Sequence, residues 1–179
     1  MGVKMKEEFI ELLKGIKRDG MDKLIEFLKD SDFFEAPAST RYHGSKEGGL
    51  LEHSMKVYEI LKTKTEDNDS VKIVALLHDI CKVNFYKTDY RNAKVNGVWE
   101  QVPYYTVDDT IPYGHGEKSV MMISEFIKLT PEEKYAIRWH MGFTEPKELY
   151  GTISIAYKKY PLALLTHEAD LEATYFYDI

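Results

Sequence analysis

Apolar residues recur at helical spacing along most of the chain. Before residue 30 they fall three and four positions apart in two groups, which are Phe9, Leu12, Leu13 and Ile16, then Leu24, Ile25 and Leu28. This spacing predicts two short amphipathic helices. Residues 31–49 are polar and rich in glycine, which predicts a loop. Residues 50–62 return to helical spacing and predict a core helix with His53 near its start.

The most apolar stretch of the chain covers residues 71–83 and reads VKIVALLHDICKV. A helix of this composition has almost no polar face and is therefore predicted to lie in the middle of the fold. It nevertheless contains His78 and Asp79, with Lys82 next to both on the helix surface. Because a buried carboxylate needs a compensating positive charge, a divalent cation that binds both His78 and Asp79 is an attractive explanation.

The periodicity changes after this helix. Valine and tyrosine residues between positions 92 and 109, together with the turn signal Asn96-Gly97, predict a β-hairpin around residues 93–108. Helical spacing resumes after Gly116, and the segment Thr130-Pro131-Glu132-Glu133 predicts a helix with a capping box. Two more helices are predicted, around residues 153–159 and from 161 to about 177. We therefore predict an all-α helical bundle that carries a small β-hairpin insertion.

Length, charge and cysteine content restrict the class of protein. A chain of 179 residues with 44% hydrophobic residues predicts a single domain, residues 1–179. The net charge of −6 argues against binding to duplex nucleic acid. A single cysteine, Cys81, excludes an internal disulfide, and with no secretory apolar segment near the start it predicts a cytoplasmic protein. No apolar run is long enough to span a membrane, so no membrane association is expected.

The candidate chemistry depends on a group of histidines and aspartates. A single histidine is usually a hydrogen-bonded core or surface residue. Here, however, several of these residues lie near apolar helical sequence that would turn them inward, namely His53, His78, Asp79, His115, His140 and Asp170. Their joint occurrence predicts one cluster of metal ligands.

Five motifs resemble the HD-domain superfamily of metal-dependent phosphohydrolases, which is named after an adjacent His-Asp pair. They are GGLLEHS at residues 48–54, LLHDICK at 76–82, GHGEKS at 114–119, WHMG at 139–142 and HEADLEAT at 167–174. The resemblance therefore covers residues 48–174 and implies an HD-domain-like helical bundle. It also implies a metal site, because the motifs contain the histidines and aspartates of the predicted cluster.

The resemblance assigns ligands to particular positions. It implies that His53, His78, Asp79 and Asp170 bind one divalent ion. In family members with two further histidines a second ion is bound, and His115 and His140 lie where those histidines are expected, with Asp79 bridging the two ions. Nitrogen and oxygen ligands suit Fe, Mn, Co, Ni or Zn, and the sequence does not choose among these metals.

A pair of such ions would generate a hydroxide at neutral pH for attack on a phosphoryl group, with Asp79 as the central catalytic ligand. Lys82 is expected to stabilise the charge that develops on the phosphate oxygens. Arg41, His43 and Arg138 are candidates for binding a further anionic group of the substrate, although surface salt bridges are a more common use of arginine.

Several functions remain open at this stage. The leading hypothesis is hydrolysis of a small phosphate ester, with nucleotides favoured because the family commonly acts on them. The GGLLEHS motif also resembles a group of bacterial 3′–5′ exoribonucleases, which suggests a phosphodiesterase for single-stranded nucleic acid, but that group carries an additional nucleic-acid-binding module for which this chain has no room. A third alternative is an oxygenase with a di-iron site. A non-catalytic sensor is disfavoured because no expected ligand is missing, and homo-oligomerisation is left open.

Overall fold

Helices dominate the computed structural model, which describes residues 2–41 and 44–177. They are α1 (Gly2–Lys14), α2 (Met21–Asp30), α3 (Gly49–Lys64), α4 (Asp69–Leu77), α5 (Gly116–Ser124), α6 (Pro131–Arg138), α7 (Tyr150–Lys159) and α8 (Pro161–Glu172), which continues into a π-helical turn, Ala173–Tyr177. Strands β1 (Tyr86–Val95) and β2 (Val98–Val107) form an antiparallel hairpin between α4 and α5. The predicted helical bundle with one β-hairpin is confirmed.

The hydrophobic core lies where α3, α4, α6 and α8 meet. Helix α3 packs on α4 and α8, α6 packs on α4 and α8, and α5 covers the end of α6. Helix α4 is at the centre, since Ile73, Val74, Leu76 and Leu77 are fully buried as its composition predicts. None of the helices in the described ranges combines the length and the apolar composition needed to cross a bilayer.

The central helix is shorter than the apolar run that predicted it. Helix α4 ends at Leu77, His78 caps it, and a 3-10 turn (Ile80–Lys82) follows. Asp79 stands between them with φ −103° and ψ 17°, in the region between helix and strand that active-site residues often occupy. The prediction of one helix over residues 71–83 was therefore wrong at its end, because hydrophobicity reports burial and does not distinguish a helix from the tighter turn that follows it.

The hairpin is longer than predicted. Its strands pair from Tyr86↔Val107 to Val95↔Val98, so it begins seven residues before position 93. Asn96 and Gly97 both have positive φ, which fits the two-residue turn expected from the sequence. No residue of either strand is buried, so β1 has no alternating apolar face from which its first half could be predicted.

Helices α5 and α6 approach closely at Gly116. A Cβ atom at this position would lie 2.3 Å from the carbonyl oxygen of Arg138, so only glycine allows this packing. His115 immediately precedes Gly116, and His140 follows the end of α6. The close approach therefore brings two histidines together that are 25 residues apart in the sequence.

Candidate metal centre

Five helical segments contribute to one cluster of six predicted ligands. The cluster consists of His53 on α3, His78 and Asp79 at the end of α4, His115 at the start of α5, His140 just after α6 and Asp170 on α8. Five of the six line a cleft of about 370 Å³, and His78 lies behind them, fully buried. The fold thus brings together all six residues that the sequence singled out.

The carboxylate of Asp79 lies at the centre of the cluster and faces a different pair of imidazoles with each oxygen. Oδ2 is 3.5 Å from Nε2 of His78 and 3.8 Å from Nε2 of His53. Oδ1 is 2.9 Å from Nε2 of His115 and 3.5 Å from Nε2 of His140. The possible ligands therefore form two groups that share Asp79.

Asp170 belongs to the first of these groups. Its Oδ1 lies 3.0 Å from Nε2 of His53 and 4.0 Å from Nε2 of His78. His53, His78, Asp170 and Oδ2 of Asp79 thus make one set of donors. His115, His140 and Oδ1 of Asp79 make the other set.

Backbone carbonyl groups fix the orientation of two imidazoles. Nδ1 of His78 is 2.8 Å from the carbonyl oxygen of Ala75, and Nδ1 of His140 is 2.7 Å from that of Ile137. A carbonyl oxygen can only accept, so Nδ1–H is the donor in both cases and the lone pair of a neutral ring lies on Nε2. Both Nε2 atoms face the cluster, which is the arrangement that metal-binding histidines need.

The donor atoms fit a divalent cation. Among the described residues, Nε2 of His78 is buried without a hydrogen-bond partner, which costs free energy unless another group satisfies it. Oδ1 of Asp79 lies 2.9 Å from Nε2 of His115, but the pair lacks the geometry of a hydrogen bond. Nε2 of His115 lies 3.1 Å from Nε2 of His140, so two ring nitrogens converge on the same carboxylate oxygen. Several sets of three donors lie within 4.8 Å of one another, including His53 with His78 and Asp79. A bound cation would satisfy these atoms together.

The electrostatics of the cluster favour positive charge at its centre. Burial opposes ionisation of Asp79, but electrostatic contact with Lys82 and with the imidazole of His78 holds its pKa well below the usual range. Burial likewise opposes ionisation of Asp170, yet contact with His53 lowers its pKa. Burial tends to lower the pKa of His115, but contacts with Asp79 and Cys81 raise it to about 9. Two ionised carboxylates in a buried cleft therefore attract cations.

Lys82 also contacts the central carboxylate. Its Nζ lies 2.6 Å from Oδ2 of Asp79 while its side chain remains 13% exposed at the wall of the cleft. Burial tends to lower the pKa of Lys82, but the negative charge of Asp79 raises it, so the ammonium group stays charged. The sequence led us to expect a phosphate partner for this residue and did not predict the ion pair with Asp79.

The three residues considered for substrate binding have different surroundings. The guanidinium of Arg138 contacts both Glu145 and Glu117 and stacks on the ring of Trp139, so it does not line the cleft with the ligand cluster. Two carboxylates already bind the charge of Arg138, and its contact with a substrate stays a prediction. Arg41 lines a neighbouring cavity, and His43 lies outside the described residues.

Cys81 has a role in the site that the sequence analysis missed. Its buried Sγ lies 3.3 Å from Nδ1 of His115, on the opposite side of the ring from Asp79. The sequence predicts Cys81 only as a core residue in a reducing environment. Its position three residues after His78 indicates that it lies near the cluster. Only the fold shows that its sulfur contacts His115.

His167 and Tyr86 complete the walls of the cleft. Nδ1 of His167 is 2.6 Å from the carbonyl oxygen of His140, and the ring packs so closely on Gly142, which has φ +57°, that a Cβ there would lie 2.3 Å from it. The Tyr86 hydroxyl donates to the carbonyl oxygen of Ala38 at 3.2 Å, and burial raises its pKa to about 12. His167 thus supports the segment that carries His140, and Tyr86 joins the base of the hairpin to the cleft.

Comparison with known proteins agrees with this geometry. The family model described as HD domain matches residues 50–179, which is more than half of the chain and contains all six residues of the cluster. Comparisons with curated proteins and with solved structures found no significant match. HD domains bind divalent metals, and the His-Asp cluster fits such a site. The chain therefore belongs to the HD domain family, within the superfamily of metal-dependent phosphohydrolases.

Proposed function

We propose that this protein hydrolyses a small phosphate ester, with nucleotides as the favoured substrates. The observation that carries the proposal is the central position of Asp79, whose two oxygens face two separate sets of imidazoles. A carboxylate in this position can bridge two divalent ions, and paired divalent ions are a common device for phosphoryl transfer. The cleft is also open to small molecules and is lined by a lysine at the cluster.

In this proposal, each of the two sets of donor atoms binds one divalent ion. His53, His78, Asp170 and Oδ2 of Asp79 would bind the first ion, and His115, His140 and Oδ1 of Asp79 would bind the second. When bound, a pair of divalent ions supplies a water of lowered pKa and neutralises charge on the phosphate. The ligand atoms suit Fe, Mn, Co, Ni or Zn.

The side chains around the cluster would orient the substrate. Lys82 offers an ammonium group at the wall of the cleft, where it can donate to a phosphate oxygen while it holds Asp79 in place. The Tyr86 hydroxyl remains protonated near neutral pH and borders the same space. His167 acts indirectly, since it contacts the backbone of His140.

A panel of nucleotides and generic phosphate esters, each assayed with several divalent metals, tests the proposal. We expect release of inorganic phosphate from nucleoside monophosphates or of nucleoside monophosphates from diesters. Asp79→Asn should abolish this activity, whereas Asp89→Asn, on the exposed hairpin, should leave it unchanged. No hydrolysis with any metal in a protein that binds about two ions per chain would contradict the proposal.

Two alternative activities are separated by the same panel. An exonuclease-like phosphodiesterase would degrade single-stranded oligonucleotides from one end and would spare mononucleotides. A di-iron oxygenase would consume oxygen only after loading with iron, which an oxygen electrode measures directly. We favour the phosphatase because the cleft of about 370 Å³ has the size of a small-molecule site.

We also propose a cytoplasmic location. The support is the single buried cysteine, whose thiol contacts His115 and would be vulnerable in an oxidising compartment. Fractionation of the native cell followed by immunodetection tests this location. Recovery of the protein outside the cytoplasmic fraction would contradict it.

A further inference from the structure

A second cavity lies beside the cleft of the metal cluster, between the loop before α3 and the hairpin. It has a volume of about 570 Å³, and its walls include Thr40, Arg41 and Ser45 from the loop with Thr88, Arg91 and Tyr104 from the hairpin. Thr40 lines both this cavity and the cleft, so the two spaces are adjacent. The loop that precedes the helix of His53 therefore meets a part of the hairpin to which the sequence assigned no definite role.

The cavity has the charge and hydrogen-bonding groups of an anion site. Two guanidinium groups, from Arg41 and Arg91, line it together with five hydroxyl side chains, and no carboxylate is among its lining residues. Within the described part of the chain, neither Arg41 nor Arg91 has a carboxylate oxygen within 4.0 Å. This is unusual in a chain with a net charge of −6.

Neighbouring groups do not neutralise the charges of Arg41 and Arg91, which therefore remain available to bind an anion. The carboxylate of Asp89, two residues from Arg91, accepts from the backbone N–H of Tyr90 at 2.8 Å. The Arg91 guanidinium instead lies 5.3 Å from the ring centroid of Tyr104, which restricts the side chain without neutralising it. Arg138, by contrast, contacts two carboxylates. Among the three arginines compared, only Arg41 and Arg91 can offer their full charge to a ligand.

We propose that this cavity binds a second phosphate group of the substrate, separated by the sugar from the phosphate that is hydrolysed. Arginine is suited to this role because its planar group donates two hydrogen bonds to one phosphate. The spacer is needed because the cavity and the cleft share Thr40 but no arginine. This inference rests on the proposed function, and it specifies a nucleotide with two separated phosphates.

Such a second phosphate occurs in two kinds of molecule. It is the 3′ phosphate of a nucleoside 3′,5′-bisphosphate or the next phosphodiester of a short oligonucleotide. The probes are therefore adenosine 5′-monophosphate, adenosine 3′,5′-bisphosphate and the 5′-phosphorylated adenosine dinucleotide. Binding of each to the metal-loaded protein is measured by calorimetry, and the products are analysed afterwards to account for turnover.

We expect the wild-type protein to bind at least one of the two-phosphate probes about tenfold more tightly than the monophosphate, as one added charged hydrogen-bonding contact would give. Arg91→Gln and Arg41→Gln should each remove this preference and leave binding of the monophosphate unchanged. Lys94→Gln, another exposed cation of β1 that does not line the cavity, should have no effect.

Three results would overturn the inference: equal binding of all probes by the wild type, retention of the preference in both arginine variants, or an equal loss in Lys94→Gln. A preference for the dinucleotide alone identifies an oligonucleotide as the source of the second phosphate and supports the site. Arginine-dependent binding with no hydrolysis of any ester would refute the proposed function and keep this site. Hydrolysis of an ester together with binding that does not depend on Arg41 or Arg91 would support the proposed function and refute this second phosphate site.

Discussion

At the scale of single residues, Asp79 is the ligand on which the whole centre depends. It contacts both sets of imidazoles, whereas His115 contacts only the set around Oδ1. We therefore predict that Asp79→Ala loses both ions, and that His115→Ala reduces the metal content from about two ions per chain to about one. Elemental analysis of protein purified under metal-replete conditions measures this ratio.

The control for this prediction is Asp89→Ala, which removes an exposed carboxylate from the hairpin. It should retain the metal content of the wild type. Circular dichroism of each variant confirms that the fold is intact. A single ion in the wild type that His115→Ala does not affect would indicate a mononuclear site formed by His53, His78, Asp79 and Asp170.

Cys81 provides a second prediction at this scale. Because its sulfur contacts Nδ1 of His115, it orients the ring whose Nε2 faces Asp79. We predict that Cys81→Ala weakens binding of the second ion by about 10- to 100-fold, the usual effect of removing a group that supports a metal ligand. Cys81→Ser should recover part of this affinity, since a hydroxyl can also pair with Nδ1.

Competition of the protein with a chromophoric chelator for Zn²⁺ or Mn²⁺ measures these affinities. Val83→Ala is a suitable control, because it reduces packing near the same turn without removing a contact to His115. An unchanged affinity in Cys81→Ala would show that His115 is oriented without the sulfur. Equal losses in Val83→Ala and Cys81→Ala would attribute the effect to packing.

At the scale of secondary-structure elements, Glu133 joins the helices that carry the site. Both oxygens of its fully buried carboxylate bind the guanidinium of Arg18, at 2.6 Å and 2.9 Å. It also accepts from Ser70 on α4 at 2.7 Å and from the backbone N–H of Thr130, at the start of α6, at 2.8 Å. The segment between α1 and α2, the start of α4 and the start of α6 thus meet at one carboxylate.

We predict that Glu133→Ala lowers the free energy of unfolding by about 1–3 kcal/mol, because it leaves Ser70 and the partly buried Arg18 without their acceptor. Urea denaturation measures the change. Glu125→Ala removes a carboxylate from an exposed helix end and should change stability by no more than about 0.5 kcal/mol. A similar small effect in Glu133→Ala would mean that Arg18 finds water or another acceptor.

We also predict that the contribution of Glu133 to the free energy of unfolding depends on pH. Burial tends to raise the pKa of Glu133, but Arg18, Ser70 and the N–H of Thr130 lower it below the ordinary glutamate value. A lowered pKa in the folded state stabilises the protein above the ordinary value, and this stabilisation is lost as the pH falls through the lowered value. The stability difference between the wild type and Glu133→Gln should therefore be constant near neutral pH and shrink only under acidic conditions.

Urea denaturation of both proteins from pH 7 downwards tests this dependence. Other acidic groups titrate in both proteins, so their contributions cancel in the difference. A difference that already declines above the ordinary glutamate pKa would contradict the lowered value. A difference that stays constant throughout the acidic range would show that the charge of Glu133 does not contribute.

At the scale of the whole molecule, the hairpin is separable from the helical core. No residue of β1 or β2 is buried, and the two strands pair with each other along their full length. Tyr86 and Val107 are paired at the base, so a short turn can join them. We predict that replacing residues 87–106 with Asn-Gly leaves a folded, metal-binding protein.

Thermal unfolding followed by circular dichroism should show a cooperative transition close to that of the wild type. The shortened protein should still bind metal through the six-residue cluster, none of whose members lies on the hairpin. It should lack the preference for a second phosphate, since Arg91 and Tyr104 are removed. Loss of the cooperative transition would show that the hairpin stabilises the bundle.

The sequence by itself determined the features that depend on neighbours along the chain. Apolar spacing predicted the helices, Thr130 and Glu133 form the expected capping box, and Asn96-Gly97 forms the expected turn. These features can be predicted because helical periodicity, capping and tight turns involve residues only a few positions apart. The motifs likewise identified the candidate ligands and the family, since the identity of a residue decides whether it can bind a metal.

Only the tertiary structure decided which of these residues meet and through which atoms. The division of Asp79 between two sets of imidazoles depends on contacts between residues far apart in sequence, as does the contact of Cys81 with His115. The two carboxylate partners of Arg138 were likewise not predictable from the sequence, because the partners of a long charged side chain depend on the packing of the helices around it. The identity of a residue determines which interactions its side chain can make, and the fold determines which partner it contacts.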